Sequence, residues 1–330
     1  MINPAASRYS PRLELAVARE LGAAFAVDLV RTDEPGRATA VARLAVAEET
    51  LAAVAVLGGD GAVNEVANGL AGSAVALAAL PGGRTNALAR MLGLPREPRA
   101  AAASLAGAGG RLPIRRIDLG TMNGRHFTFA SGIGLSAVSN RRLSRRGVAG
   151  RRLGGHLFVA ELMAVVARYR RDPPRLAVEI DGLPGAIEGV SLMAQNADPL
   201  TYLGSRPLPL CAGAGLETGT LSLAVLRRAS VRLAAVLTVP VVLGRGQAAL
   251  GHEAVESLPA IREARVRTLD GRPLEVEVDG EHAGELETAT YGVASRALTV
   301  VAPDRASGER RSGKGATTRS AIHPRQRRGA

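Results

Sequence analysis

The stretch LAAVAVLGGDGAVNEVANGL (residues 51–70) sets the architecture. Its first part, LAAVAVL (51–57), is a short unbroken apolar run ended by glycines, the pattern of a strand buried on both faces. AVNEVANGL (62–70) then reads as a helix stopped by Gly69. Between them stand Gly58, Gly59, Asp60 and Gly61. Glycines permit close backbone approach to a ligand. The helix start offers unpaired N–H groups and the positive end of its dipole, which suit a phosphate. Asp60 would repel a phosphate and makes sense beside one only with a cation between them. The plainer alternative is a strand–helix turn capped by Asp60.

The arrangement recurs. SAVALAAL (73–80) is a second strand, PGG (81–83) a second glycine turn, and TNALARMLGLP (85–95) a second helix, with Gly93 and Pro95 as stop signals. Thr85 and Asn86 either donate to a nucleotide or cap that helix. Strand, turn and helix in succession predict a parallel sheet covered by helices. Two such turns favour one shared ligand above both strands, where open α/β sheets bind.

The texture changes near residue 117. RIDLGTMNGRHFTFASGIGL (116–135) carries Asn-Gly between short runs, a hairpin signal. RLAVEIDGLPGAIEGVSLMAQN (175–196), GTLSLAVLRR (219–228) and LEVEVDGEHAGELETATYGV (274–293) alternate apolar and polar residues between Gly-rich turns. These predict an antiparallel region with one helix near HLFVAELMAVVARYR (156–170). The expected organisation is an α/β domain over 1–116, a β-rich domain over 117–302 and a basic tail over 303–330 that reads as disordered.

Composition narrows the function classes. Hydrophobic residues make up 46% and aromatics only 2% of 330 residues, so the core is built from Ala, Val and Leu. A single cysteine, Cys211, allows no internal disulfide and fits a reducing compartment. MINPAASRYS lacks the basic-then-apolar form of a signal peptide, and no run of about 18 apolar residues exists to span a membrane. The net charge of +12 sits in two places: residues 140–152, with six Arg and no acid, and residues 303–330. The five histidines form no close metal-ligand spacing. GERRSGKG (308–315) has P-loop spacing but Gly315 where Ser or Thr is needed, and no strand precedes it. In VDGEHAGE (278–285), Asp279 and Glu281 flank Gly280; spacing alone favours a hairpin turn with solvated acids.

Taken in order, six segments resemble the diacylglycerol kinase catalytic family, which includes bacterial lipid kinases and sphingosine kinases: Asn3-Pro4, GGDGAVNEVANGL (58–70), PGGRTNALARMLGLP (81–95), IDLGTMNGRHFTFASGIGL (117–135), NADPLTYLGSRPL (196–208) and VDGE (278–281). GGDG alone also occurs in NAD kinases and phosphofructokinases. The resemblance implies a phosphofructokinase-like parallel α/β domain followed by an antiparallel β-rich domain, with ATP between them. Gly58, Gly59, Asp60, Gly61 and Asn64 would line the phosphates, and Asn3, Thr32 and Thr85 would contact the nucleotide. Glu281 would be the general base, with Asp279 beside it. Asp60 and Asp118 would hold a Mg²⁺–water network, and Glu217, in GLETGTLSL (215–223), is the one acid in the stretch matching the family's structural Mg²⁺ loop. Arg84 and Ala87 depart from the family's usual residues.

The implied activity is phosphorylation of a lipid alcohol at the inner face of the cell membrane, the protein being cytoplasmic and peripheral. Arg141–Arg152 and the tail would meet anionic lipid, with no specific nucleic acid, and a homodimer is left open. A soluble-substrate kinase of NAD-kinase type and a degraded non-catalytic homologue that binds lipid or nucleic acid are the competing readings.

Overall fold

The computed structural model describes residues 1–48, 51–107, 111–146, 160–169, 171–230, 232–233, 236 and 251–303. The helices are α1 (Pro11–Gly22), α2 (Arg37–Val46), α3 (Asp60–Leu70), α4 (Ala87–Met91), α5 (Pro98–Ala106) and α6 (Leu135–Arg145). The strands begin with β1 (Ala53–Gly58), β2 (Ala76–Pro81), β3 (Ile114–Met122), β4 (Arg125–Phe127), β5 (Ala130–Ile133), β6 (Leu176–Ile180), β7 (Ala186–Gly189) and β8 (Ser191–Gln195). They continue with β9 (Thr201–Leu203), β10 (Arg206–Leu208), β11 (Leu221–Leu226), β12 (Val255–Ile261), β13 (Glu263–Thr268), β14 (Leu274–Val278), β15 (Glu281–Leu286) and β16 (Thr288–Val301). Residues 160–169 are helical, inside the expected 156–170. The basic tail beyond 303, Arg151 and Arg152 lie outside the described residues.

β1 and β2 pair in parallel from Ala53↔Ala76 to Gly58↔Pro81. Every residue of β2 is buried, as the unbroken apolar run requires. The opening strand is reduced to Ile2, which bridges in parallel to both Leu57 and Arg31. α3 begins at Asp60, two residues earlier than the sequence pattern suggests. Gly69 does not stop it. A Cβ there would lie 2.4 Å from Ala42 Cβ and 2.7 Å from the Thr39 carbonyl, so Gly69 serves the close approach of α2 to α3. α2 has no cap of its own at Gly36, and Glu65 of α3 supplies one by accepting from the Gly36 and Ala38 amides.

The antiparallel half is a pair of facing sheets. β16, β13, β6 and β7 form one layer with β3 and β4, and β12-β11-β8-β5-β14-β15 forms the other. Phe127, Tyr291, Ile133, Leu192, Val266 and Val276 fill the space between them. The Asn123-Gly124 turn between β3 and β4 has both residues at positive φ, as Asn-Gly predicted.

β16 joins the two halves. Its first part, with Ala289 and Tyr291, belongs to the sandwich core. After a register shift between Ala294 and Leu298, its last residues pair with β2 and with the start of β3. Leu298, Val300, Val301 and Ala302 therefore pack in the same core as Val54, Val66 and Leu77. The N-terminal core is thus closed by the far end of the β-rich segment.

Candidate active site

The parallel strands end together at one edge. Asn3 N donates to the Leu57 carbonyl (3.0 Å) and Thr32 N to the Ile2 carbonyl (2.8 Å). Asn3, Thr32, Gly58 and Pro81 thereby line the carboxyl edge of neighbouring strands, the ligand side of such sheets. Thr32 is buried, and the Asn3 side chain accepts from the Ala5 amide at 2.9 Å.

The two glycine turns touch backbone to backbone. Gly82 N donates to the Gly58 carbonyl at 2.8 Å. A Cβ on Gly82 would lie 2.9 Å from Gly58 N, and one on Gly83 would lie 2.6 Å from Gly59 Cα. The N-cap of α3 is Gly59, with no side-chain cap, which leaves the first-turn amides for a ligand. Asn86 does not cap α4. It sits at φ 50° and closes its own turn, with Oδ1 accepting from Gly83 N (2.7 Å) and Nδ2 donating to Gly83 O (2.8 Å). Asp60 Oδ1 instead accepts from Ala87 N at 2.6 Å, so the carboxylate of the first turn caps the helix after the second. Thr85 is half-buried in that turn and Arg84 is exposed. Desolvation pushes the Asp60 pKa up to about 7; the Ala87 amide opposes the shift, and the charges of Asp279 and Glu281 add to it.

The β14–β15 hairpin brings its tip to this edge. Asp279 and Gly280 form the turn at φ 48° and 82°, between the paired Val278 and Glu281. Asp279 is 3% exposed, not solvated as spacing alone favoured. Its carboxylate accepts from Asn64 Nδ2, Thr128 N and Thr128 Oγ1 (2.8 Å each), Phe129 N (2.9 Å) and Ala130 N (3.1 Å). Burial raises its pKa, and the amide and hydroxyl donors pull the other way by favouring the anion.

Asn64 is consumed by this network. It is buried, and Nδ2 also donates to the His126 carbonyl at 3.0 Å. Its polar atoms meet protein, whereas the resemblance set it beside phosphate. Asn68, one helical turn on, donates to the same carbonyl and accepts from His126 N. Sequence reading missed Asn68 and Thr128. The i, i+4 spacing of Asn64 and Asn68 was the available signal for a shared polar face.

Glu281 lies against Gly61. A Cβ built on Gly61 would sit 1.8 Å from Glu281 Oε1. The Glu281 pKa is raised, first by desolvation, with Glu65 and Asp279 adding and Arg125 opposing. Asp60, Gly61, Asp279 and Glu281 are thus gathered at one place from two ends of the chain.

The expected metal positions do not converge. Among the described residues no group of three or more His, Cys, Asp or Glu is placed to hold a metal ion. Asp118 is buried and accepts from Gly219 N (2.6 Å) and Arg296 N (2.7 Å), tying the 215–220 loop to the irregular part of β16. Glu217 is paired with Arg115, whose charge makes it a poor neighbour for a cation. Thr218 Oγ1 lies 3.0 Å from both the Gly215 and Thr220 carbonyls, so a hydroxyl closes the loop. The residues present do not fit a structural Mg²⁺ there.

Sequence reading also missed a polar layer under α6. Glu277 is buried, accepts from Asn140, and has its pKa pushed up to about 6 by desolvation. Arg141 pairs with Glu275 and Glu285, while Arg142 and Arg146 flank Glu161. Of the arginines expected to face anionic lipid, three of the four on described residues are therefore turned onto internal acids. No helix among the described residues is long and apolar enough to cross a membrane.

Comparison with known proteins agrees with this layout. Residues 1–130 match the diacylglycerol kinase catalytic domain. The chain is 28% identical over 254 residues to the diacylglycerol kinase of Bacillus subtilis (strain 168), covering 76% of this chain and 78% of that protein. A diacylglycerol kinase structure from Bacillus anthracis str. Sterne superposes with a TM-score of 0.63 at 21% identity, covering 92% of this chain and 95% of that one. An NAD kinase from Archaeoglobus fulgidus, solved in complex with ATP, shares the fold at 12% identity, with a TM-score of 0.50 over 92% of this chain and 93% of its own. The chain is thus similar to diacylglycerol kinases along most of its length, and its residues 1–130 match the catalytic domain of that ATP-using kinase family.

Proposed function

We propose that this protein transfers the γ-phosphoryl group of ATP to the hydroxyl of diacylglycerol or a related lipid alcohol, with Glu281 as the general base. The observation that carries the reading is the meeting of Glu281 with Gly61 at the open start of α3. A base and a phosphate-binding helix end then share one edge of the sheet.

In this reading the first-turn amides of α3, with Gly58 and Gly59, hold the phosphates. Asn3, Thr32 and Thr85 lie along the nucleotide. The acceptor hydroxyl attacks the γ-phosphorus, its proton passes to Glu281, the new O–P bond forms as the bond to the ADP oxygen breaks, and ADP leaves. Asp279 does not touch the reacting atoms; it fixes the turn that aims Glu281. Asp60, whose carboxylate also takes backbone amides of the second glycine turn, would hold Mg²⁺ through water. Bound Mg²⁺ would neutralise phosphate charge. Contact with an anionic membrane surface, in the cytoplasmic, peripheral arrangement, would fall to Arg145 and to arginines outside the described residues.

The test is purified protein with labelled ATP and Mg²⁺ against micellar diacylglycerol, monoacylglycerol, ceramide and sphingosine, with NAD in parallel. One labelled lipid is expected. Label in NADP alone, or in nothing, sinks the proposal.

A further inference from the structure

The three glycines of Gly58-Gly59-Asp60-Gly61 meet different neighbours. Gly61 is the second residue of α3, and its φ is not in the left-handed range. Its backbone does not demand glycine, and alanine is the better helix former there. A Cβ on Gly58 would meet Ala62 Cβ at 2.7 Å, and one on Gly59 would meet only Gly83 Cα, at an ordinary 3.5 Å. The three atoms nearest a Cβ on Gly61 would all belong to the Glu281 carboxylate: Oε1 at 1.8 Å, Cδ at 2.4 Å and Oε2 at 2.8 Å.

No hydrogen bond among the described residues holds that carboxylate. Among the described residues Glu281 makes no hydrogen bond or ion pair, unlike Asp279 two residues earlier. Its backbone is fixed by the Asp279-Gly280 turn, while its side chain, on an exposed residue, is drawn by the Arg125 charge and rests against α3. The surface it packs on is the bare Cα of Gly61. There it rests against the positive end of α3, beside the amides that would receive the phosphates.

We infer that Gly61 is a positioning residue: its missing side chain is the seat of the Glu281 carboxylate, and it sets the distance between the base and the phosphoryl group. This rests on the reading of Glu281 as the base. A methyl at residue 61 would not break the fold, because what it meets is the end of a flexible side chain. It would push the carboxylate off its seat. Shortening that side chain by one methylene would restore the room.

The experiment compares Gly61→Ala, Glu281→Asp and the double variant with wild type, using whichever lipid in the panel above the wild type phosphorylates. Thermal melting and binding of a non-hydrolysable ATP analogue are measured alongside. For Gly61→Ala, kcat should fall at least tenfold, with melting and analogue affinity within error of wild type. Glu281→Asp alone should also be slow. The double variant should recover severalfold over Gly61→Ala, because the shorter acid fits beside the methyl. Wild-type kcat in Gly61→Ala overturns the inference. So does a loss of analogue affinity with no recovery in the double variant, which would return Gly61 to the phosphates. If Gly61→Ala does not fold, the double variant, compared with Glu281→Asp, decides by the same kcat comparison. Failure of the underlying reading is separate: it appears as full turnover in Glu281→Gln, or as no lipid labelled at all.

Discussion

Asn64 Nδ2 donates to Asp279 Oδ2 at 2.8 Å, across 215 residues of sequence. The bond ties the helix after the first glycine turn to the hairpin tip that carries Glu281. It couples the position of Glu281, the proposed base, to α3.

Asp279→Asn should disturb that tie severely. The carboxylate accepts five hydrogen bonds, and an amide presents N–H groups to some of the same donors. A stability loss of roughly 2–4 kcal/mol is expected, from buried donors left unpaired. Chemical denaturation measures it; a loss below about 0.5 kcal/mol would mean the network is not holding the hairpin.

Glu281→Gln should spare the fold and stop the reaction. Without hydrogen bonds to lose, its unfolding free energy should stay within about 0.5 kcal/mol of wild type. Turnover should fall by about 10²–10⁴, the usual worth of a general base. In the wild type, kcat/KM should rise with pH through the Glu281 pKa, which lies above the ordinary 4.5. That limb should be absent from the residual activity of the Gln variant.

Stability should carry the signature of Asp60. Its pKa is raised from 3.8 to about 7, so between those values the folded protein binds more protons than the unfolded chain. The stabilisation is complete below the lower value and is lost as pH rises to the upper one. Glu277, raised from 4.5 to about 6, adds in the lower part of that window. Denaturation of the nucleotide-free protein at pH 5 and pH 7.5 should show higher stability at the acid value. Asp60→Asn should flatten the slope most between pH 6 and 7. An unchanged slope would show that Asp60 ionises normally.

The 215–220 loop should not need metal. Thr218 Oγ1 and the Asp118 carboxylate hold it, and Arg115 takes Glu217. Melting of the nucleotide-free protein should therefore be indifferent to Mg²⁺ and to EDTA. Thr218→Val should cost about 1 kcal/mol through the lost hydroxyl bond. A melting point that EDTA lowers and Mg²⁺ restores would put a cation back in the loop.

Gly69→Ala offers a contrast with Gly61→Ala inside one helix. The new methyl would meet Ala42 Cβ and the Thr39 carbonyl, and backbone cannot swing away as a side chain can. Overpacking of about 1–3 kcal/mol is expected. Calorimetric melting checks it; a gain in stability would show that α2 yields easily.

Much of this was legible in the sequence because it is local. A short apolar run before glycines is a buried parallel strand by its own composition, and β1 and β2 appear where LAAVAVL and SAVALAAL stand. Asn123-Gly124 names its own hairpin, because positive φ at two successive residues suits few others. The resemblance then connected the glycine turns with the late Asp-Gly-Glu, which spacing alone left as a solvated turn. Pairing across the fold was not legible. Residues 53 to 58 do not say that β16 will return to close their core, nor Asp60 that it will cap α4 rather than α3. Asn64 and Gly61 belong to one motif, yet one is spent on Asp279 and the other makes room for Glu281. A sequence carries backbone preferences and the period of burial. Which polar atom meets which, and which missing methyl is a seat and which a contact between helices, are decided only when distant segments compete for the same space.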